Sequence, residues 1–315
     1  MTKEKVIFSQ LCSTWESGIR YQVKPTTYAV YITMIEKHIV PELGNYEVEK
    51  INNRILEAYL RKKQEQPLSW NTLRLLIFIL KGILRMGEES GIRTAESLRY
   101  YIPQYNKRCM GMFKQENSEK LVRYLETAEG TFEIGLLISI CTGIRVGELC
   151  GLKWKDVNWK RGTIQINRTV SRIRNPEADN RQESSVSRSG MSKTVIYIGS
   201  PKTGTSIREI PLPDFLILKM AEYRQEESCY ILTGTPKCME PRGVQRRFKS
   251  LLKRCSIPDT NIHSLRHSFA SRWIENGFDN KALSEILGHS SIKITMDFYV
   301  HSDIEQKKSY INRLV

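Results

Sequence analysis

Alternation of apolar and polar residues, the pattern of a half-buried β-strand, does not occur in this sequence before residue 160. The first hundred residues repeat apolar side chains every three or four positions instead, most clearly in the helix predicted over about 71–89. Alternation begins at 163–167 and recurs at 193–198 and 207–212, and the helical pattern returns after residue 214. The chain is therefore predicted to be mainly α-helical, with a small antiparallel β-sheet in its second half.

The helical pattern breaks between residues 100 and 115, where proline, glycine and basic side chains indicate a linker. With 315 residues, the chain is long enough for about two domains. We therefore expect a compact helical domain over residues 1–108 and a second domain, which holds the sheet, over residues 109–315. Residues 171–192 are rich in serine and arginine. They are predicted to form a loop inserted in the β region, which is either solvated or in contact with a nucleic-acid backbone.

The net charge of the chain narrows the class of partner. The chain carries 49 lysine and arginine residues against 34 acidic residues, a formal net charge of +15. The basic excess is divided between the two predicted domains and is not confined to one tail. This balance favours a polyanionic partner such as nucleic acid, although many soluble proteins are also mildly basic.

Cysteine spacing and hydropathy exclude several other classes. The seven cysteines contain no pair with CxxC spacing, which argues against a disulfide framework and against a zinc site. The longest apolar run, from Leu75 to Leu80, ends at Lys81 and is too short to cross a membrane. The first ten residues, MTKEKVIFSQ, lack the apolar core of a signal peptide. We therefore expect a cytoplasmic protein with no membrane partner.

The segment TGIRVGEL places an arginine where one helix ends and the next begins. Gly143 permits a sharp turn, so Arg145 is predicted to lie at a helix entrance, where backbone N–H groups favour anions. Glu148 follows three residues later and can hold the guanidinium in one orientation. By itself, this pair is equally typical of an ordinary surface ion pair.

Two further segments place histidines and an arginine near helix ends. In HSLRH, His263 and Arg266 are expected on a common helix face. In LGHS, Gly288 suits the left-handed position that ends a helix, which puts His289 in the following turn. Tyr299 follows ten residues later. Taken singly, these residues are also typical of a polar helix face and of a half-buried packing tyrosine.

In chain order, this set resembles the catalytic residues of the tyrosine recombinases, the family of phage and transposon integrases and Xer-type resolvases. The specific motifs cover about residues 115–305, and residues 1–110 join the resemblance only through their helical character. The resemblance implies an α-helical, SAM-like core-site DNA-binding domain followed by a tyrosine recombinase catalytic domain. The catalytic residues that it assigns are Arg145, Lys202, His263, Arg266, His289 and Tyr299.

The chemistry that the resemblance implies suits these side chains. Two guanidiniums give paired donors to the non-bridging oxygens of a phosphodiester, and His289 adds another donor. Tyr299 is then the nucleophile, and its 3′-phosphotyrosine link retains the energy for religation without ATP, metal or cofactor. His263 is the candidate base, and Lys202, in a turn between two strands, is the candidate acid. Lys193 is a weaker alternative to Lys202.

The resemblance also implies the partners. These are double-stranded DNA and further copies of the chain, as a homotetramer on two DNA sites. Residues 301–315 are expected to dock on a neighbouring protomer, with docking on their own domain as the alternative. A directionality factor or a DNA-bending protein is a further partner that the family allows. The implied setting is a mobile element in a prokaryotic host, with the protein at the cytoplasmic nucleoid.

Two other functions stay open on the sequence. A type IB topoisomerase uses a similar Arg, Lys, Arg, His and Tyr set to relax supercoiled DNA, and a DNA-binding regulator could keep the fold with a decayed site. The compact length and the HSLRH and LGHS segments favour the recombinase over the topoisomerase. The complete set of catalytic positions favours an active enzyme over a regulator.

Overall fold

The computed structural model of the chain describes residues 5–92, 115–175, 192–200, 207–288, 308 and 311–312. The chain divides into two compact units, one made of residues 1–108 with 173–193 and the other of residues 109–172 with 194–315. The predicted domain boundary between residues 108 and 109 lies outside the described residues and stays a prediction.

The first unit is built from helices around a buried central helix. These are α1 (Phe8–Ile19), α2 (Pro25–Met34), α3 (Val40–Leu43), α4 (Asn53–Glu65) and α5 (Trp70–Glu89), with a π-helical turn Ile35–Ile39 between α2 and α3. The side chains of Asn52 and Ser69 cap α4 and α5 by accepting hydrogen bonds from backbone N–H groups. Four residues of α5 are fully buried in the core of this unit: Leu76, Ile79, Leu80 and Ile83. The helix predicted over 71–89 is confirmed.

Short strands separate two groups of helices in the rest of the chain. The helices are α6 (Gln115–Thr127), α7 (Thr131–Thr142), α8 (Val146–Gly151), α9 (Asp214–Glu222), α10 (Pro241–Arg254), α11 (His263–Glu275) and α12 (Asn280–Leu287). The strands are β1 (Val157–Asn158), β2 (Thr163–Ile166), β3 (Thr169–Arg174), β4 (Thr194–Gly199) and β5 (Arg208–Pro211). This order confirms a mainly helical fold with a small β region.

The strands form two sheets where the sequence predicted one. Strands β1, β2 and β5 make an antiparallel sheet in that order, with Ile166 of β2 opposite Arg208 of β5. Strands β3 and β4 make a separate two-stranded sheet. Strand β3 was not predicted from the sequence, because its buried residues, Val170 and Ile173, are three positions apart and do not alternate with exposed residues. The loop predicted over residues 171–192 is therefore wrong for residues 171–174, which belong to β3. Residues 176–191 of that predicted loop lie outside the described part of the chain.

Helix α7 forms the centre of the second core. Ile134, Leu136, Leu137 and Ile138 are each fully buried, so this helix has apolar neighbours on every side. A central helix surrounded in this way has a fixed position, and it therefore fixes the turn that follows it.

That turn depends on Gly143, which ends α7 in the left-handed region with φ of +63°. A β carbon at this position would lie 2.7 Å from Cδ1 of Phe269 in α11 and 2.9 Å from Cδ2 of Leu287 in α12. The turn between α7 and α8 therefore packs directly against α11 and α12.

The described residues also bear on the predictions that the chain has no membrane span and no disulfide framework. No helix in the described ranges is long and apolar enough to cross a lipid bilayer. Six of the seven cysteines lie in those ranges, and each of the six is free. Burial raises the pKa of the Cys141 thiol to about 11, so this side chain behaves as a small apolar core group.

We expect Gly143→Ala to lower the free energy of unfolding by about 3 kcal/mol, from roughly 1–2 kcal/mol of left-handed backbone strain and a similar cost of overpacking. Gly162→Ala is the matched control, because Gly162 also has φ of +63° but its β carbon would meet nothing closer than Ile217 Cγ1 at 3.8 Å. Urea unfolding of both variants measures the difference. Equal losses in the two variants would contradict the tight contact at Gly143.

Candidate active site

Arg145 lies at the entrance of α8, as predicted from TGIRVGEL. Its backbone is extended, with φ of −72° and ψ of 148°, and α8 begins at the next residue. The backbone N–H of Arg145 donates to Oε2 of Glu148 at 3.0 Å, and its Nη1 donates to Oε1 at 2.9 Å. One carboxylate therefore holds both the main chain and the side chain of Arg145. That side chain is still 38% exposed, so it remains accessible to an anion from solvent.

A second arginine, which the sequence analysis missed, shares the buried carboxylate of Glu148. Nη1 and Nη2 of Arg208 donate to its Oε1 and Oε2 at 3.2 and 2.9 Å. Burial alone would raise the pKa of Glu148, but the hydrogen bonds and charge of Arg208, with the charge of Arg145, hold this pKa below its ordinary value. Arg208 is 60 residues away from Glu148 along the chain, so no local spacing marks the pair.

Arg266 lies on α11 and is only 3% exposed. Its Nη1 donates to the carbonyl of Gly143 at 2.8 Å, and its Nη2 donates to the carbonyl of Leu287 at 2.9 Å. The turn after α7 and the end of α12 therefore fix this guanidinium from two directions.

The last turn of α12 brings the two predicted arginines together. Gly288 ends the helix in the left-handed region with φ of +64°, as predicted from LGHS, and the final carbonyls lack partners within the helix. The carbonyl of Leu287 accepts from Arg266 and also from Nη1 of Arg145 at 3.3 Å, and the carbonyl of Gly288 accepts from Nη2 of Arg145 at 3.2 Å. Because one carbonyl binds both guanidiniums, Arg145 and Arg266 are immediate neighbours.

His263 is the first residue of α11, and its electrostatics link it to the same cluster. Its ring lies 4.8 Å from the ring of His267 in an edge-to-face arrangement. His263 is exposed to solvent. Partial desolvation by the atoms packed beside its ring, followed by the charges of His267, Arg266 and Arg145, lowers its pKa to about 4. The imidazole is therefore neutral at pH 7 and able to accept a proton.

The structure brings together three of the six predicted catalytic residues, namely Arg145, His263 and Arg266. The other three, Lys202, His289 and Tyr299, lie outside the described residues. Lys193, the alternative to Lys202, is exposed just before β4. Over the ranges that the structure describes, no group of three or more histidine, cysteine, aspartate or glutamate side chains is placed to hold a metal ion.

Comparison with known families decides the class of protein. Residues 112–306 match the phage integrase family, and residues 7–64 match the phage integrase N-terminal SAM-like domain. The chain belongs to the phage integrase family. The first match includes all six predicted catalytic positions, and the second confirms the SAM-like character of the first helices.

Relatives and solved structures of integrases resemble the chain over nearly its whole length. The tyrosine recombinase XerC-like protein of Caldanaerobacter subterraneus subsp. tengcongensis is 26% identical over 336 residues, 99% of this chain and 83% of that protein. The Tn1549 transposon integrase in complex with transposon right end DNA has a TM-score of 0.75 at 20% identity, over 98% of this chain and 99% of that one. A lambda integrase tetramer bound to a Holliday junction has a TM-score of 0.66 at 18% identity, over 94% of this chain and 78% of that one. At these identities, the two structures establish the fold.

As a phage integrase family member, the chain is a tyrosine-type site-specific recombinase, an enzyme that cleaves and rejoins DNA. The predicted family and enzyme class are confirmed. Among the three functions that the sequence analysis considered, the family match supports the recombinase.

We expect the His263 imidazole to stay neutral down to about pH 5, because desolvation and neighbouring positive charge lower its pKa to about 4. The midpoint of the imidazole titration is measured by carbon-13 NMR of the histidine rings, and the His263 signal is assigned by its loss in His263→Gln. Since an unfolded histidine titrates near ~6.5, the unfolded chain binds more protons between about pH 6.5 and 4, and stability must fall as the pH falls through that interval. A midpoint at or above 6.5 would contradict the lowering of this pKa by desolvation and by the neighbouring arginines.

Proposed function

We propose that this recombinase cuts DNA by attack of the Tyr299 hydroxyl on a phosphodiester held by Arg145 and Arg266. The observation that carries the proposal is the meeting of both guanidiniums at the carbonyl of Leu287. A phosphodiester concentrates negative charge on its non-bridging oxygens as it is attacked. Two adjacent guanidiniums suit that group, because each offers paired N–H donors at fixed angles.

The bond changes in the proposed step are simple. The phenolic oxygen of Tyr299 forms a bond to phosphorus, and the bond from phosphorus to the 5′-oxygen breaks. The products are a 3′-phosphotyrosine link and a free 5′-hydroxyl. Because the link retains the free energy of the phosphodiester, attack by a 5′-hydroxyl rejoins the strand without ATP. The positive charge comes from side chains, with His289 as a further donor, so the proposal includes no metal and no cofactor.

Two proton transfers complete the step. A phenol with a pKa near ~10 is protonated at neutral pH, and the neutral imidazole of His263 is the proposed acceptor. An anionic phosphate next to His263 raises the pKa of this imidazole from its DNA-free value of about 4 and makes it a better base. Lys202 is the proposed donor to the leaving 5′-oxygen, with neighbouring arginines lowering its pKa. Lys193 is the alternative donor.

The anchoring of Arg145 contributes to the rate in this proposal. Glu148 and two carbonyls already hold the guanidinium in place before DNA binds, so little reordering accompanies the reaction. Prearranged donors of this kind are worth about 3–4 kcal/mol each in comparable oxyanion sites, or roughly a hundred- to a thousand-fold in rate.

We also propose the assembly in which this site acts. Residues 1–108 bind the core site on DNA, residues 109–315 catalyse, and four copies meet on two double-stranded DNA sites. Support comes from the lambda integrase of similar fold, which was solved as a tetramer bound to a Holliday junction. Near the C-terminus, Ile311 is 61% exposed, which suits docking of residues 301–315 on a neighbouring copy. A directionality factor or a DNA-bending protein and a cytoplasmic, nucleoid-associated location belong to the same proposal.

We expect Tyr299→Phe to abolish the covalent protein–DNA adduct, lowering its yield by at least about a thousand-fold, because the nucleophilic oxygen is lost. Tyr310→Phe is the matched control, since Tyr310 is the other tyrosine that follows Arg266, and it should form adduct normally. The assay traps the covalent adduct on a nicked DNA duplex that carries the cut site. The cut site is first identified by sequencing the DNA ends that are attached to the protein in its host. An adduct that persists in Tyr299→Phe, or disappears in Tyr310→Phe, would refute the assignment.

A further inference from the structure

We infer that Arg208 is a positioning residue of this recombinase, which sets the orientation of Arg145 and the end of α12. The inference rests on the proposed role of Arg145 as a phosphate clamp. Within the described part of the chain, three hydrogen bonds join the side chain of Arg208 to two separate elements, and this side chain is only 7% exposed. It is therefore placed to act through other residues and not by touching DNA.

The first contact of Arg208 controls the charge beside Arg145. Glu148 is 2% exposed, and both of its oxygens accept hydrogen bonds from Arg208 while they also hold Arg145. A buried carboxylate needs compensating charge and donors, and here Arg208 supplies the bidentate part. In the described residues, the other charged group that acts on this carboxylate is Arg145. On α11, Arg266 shares the carbonyl of Leu287 with Arg145, and the titratable His263 is affected by the charges of both arginines. Without Arg208, Arg145 would be the one direct charged partner of Glu148 among the described residues.

The second contact fixes the end of α12. Nε of Arg208 donates to the carbonyl of Ile286, next to the carbonyls of Leu287 and Gly288 that hold Arg145 and Arg266. The guanidinium also lies flat against the turn, because a β carbon on Gly288 would lie 2.8 Å from Nη1 and 3.0 Å from Cζ of Arg208. Position 289 follows directly in the chain, so Arg208 also sets where the segment with the predicted His289 begins.

Strand β5 gives Arg208 a rigid base for both contacts. Arg208 begins β5 and pairs with Ile166 of β2, so the central strand of the sheet fixes its main chain. The structure therefore links the sheet, α8 and α12 through one guanidinium. Lysine cannot replace these links, since a single ammonium lacks the planar fork that reaches both oxygens of Glu148 and the Ile286 carbonyl together.

The experiment compares adduct formation on the nicked duplex for four full-length variants: Arg208→Met, Arg208→Lys, Arg208→Met combined with Glu148→Gln, and Arg161→Met. We expect Arg208→Met to slow adduct formation by about a hundred-fold at pH 8, because misplacing a reacting group by roughly an ångström costs about that much. DNA affinity should change by less than about threefold. Arg161→Met is the matched control, since Arg161 makes an exposed ion pair with Glu209 of the same sheet, and its rate should equal that of the parent protein.

The dependence of the rate on pH separates positioning from a loss of folding. In Arg208→Met, Glu148 stays buried with one partner, so its pKa rises and the rate should fall further as the pH drops below about 7. The double variant has no carboxylate at position 148 and should show no such acidic limb, with a melting temperature above that of Arg208→Met. Arg208→Lys keeps the charge, so it should fold normally, show no acidic limb beyond that of the parent protein and lose about tenfold in rate.

Three results would overturn the inference. These are an unchanged rate in Arg208→Met, a double variant that keeps the acidic limb that Arg208→Met adds to the profile of the parent protein, and a rate in Arg208→Lys equal to that of the parent protein. If the parent protein itself forms no tyrosine-linked adduct, the proposed function fails instead. Adduct formation by the parent protein is therefore measured before any variant is compared.

Discussion

The site depends on the carbonyl end of α12, where three arginines from distant parts of the chain donate to consecutive carbonyls. The carbonyls of Ile286, Leu287 and Gly288 are the last of the helix and have no partners within it. The negative end of the helix dipole adds to their attraction for cations. A short helix with a glycine stop therefore acts as the template on which separate guanidiniums take fixed places.

The charge balance of this cluster suits the binding of an anion. The cluster holds three guanidiniums and one carboxylate, that of Glu148, which pairs with Arg145 and Arg208, whereas Arg266 binds only carbonyls among the contacts of the described residues. The positive charge of Arg266 and Arg145 acts together with desolvation to lower the pKa of His263 to about 4. In the proposed mechanism, a phosphate from DNA supplies negative charge to the arginines and makes His263 a better proton acceptor.

Local features of the site could be predicted from the sequence, whereas features that depend on tertiary structure could not. The helix entrance at Arg145, its contact with Glu148 and the left-handed Gly288 each follow from spacing within one turn, and the structure confirms them. Arg208 is different, because only the pairing of β5 with β2 brings it to Glu148. Strand β3 was missed for a similar reason, since its buried residues do not alternate. The positions of Lys202, His289 and Tyr299 stay predictions.

The most direct test of a phosphate site made by Arg145 and Arg266 is a crystal structure of the chain trapped on a nicked DNA substrate. We expect the phosphate to be bonded to Tyr299, with its non-bridging oxygens about 2.7–3.1 Å from guanidinium nitrogens of both arginines. A phosphate bonded to a different residue, or lying beyond hydrogen-bond distance of both guanidiniums, would contradict this account of the site.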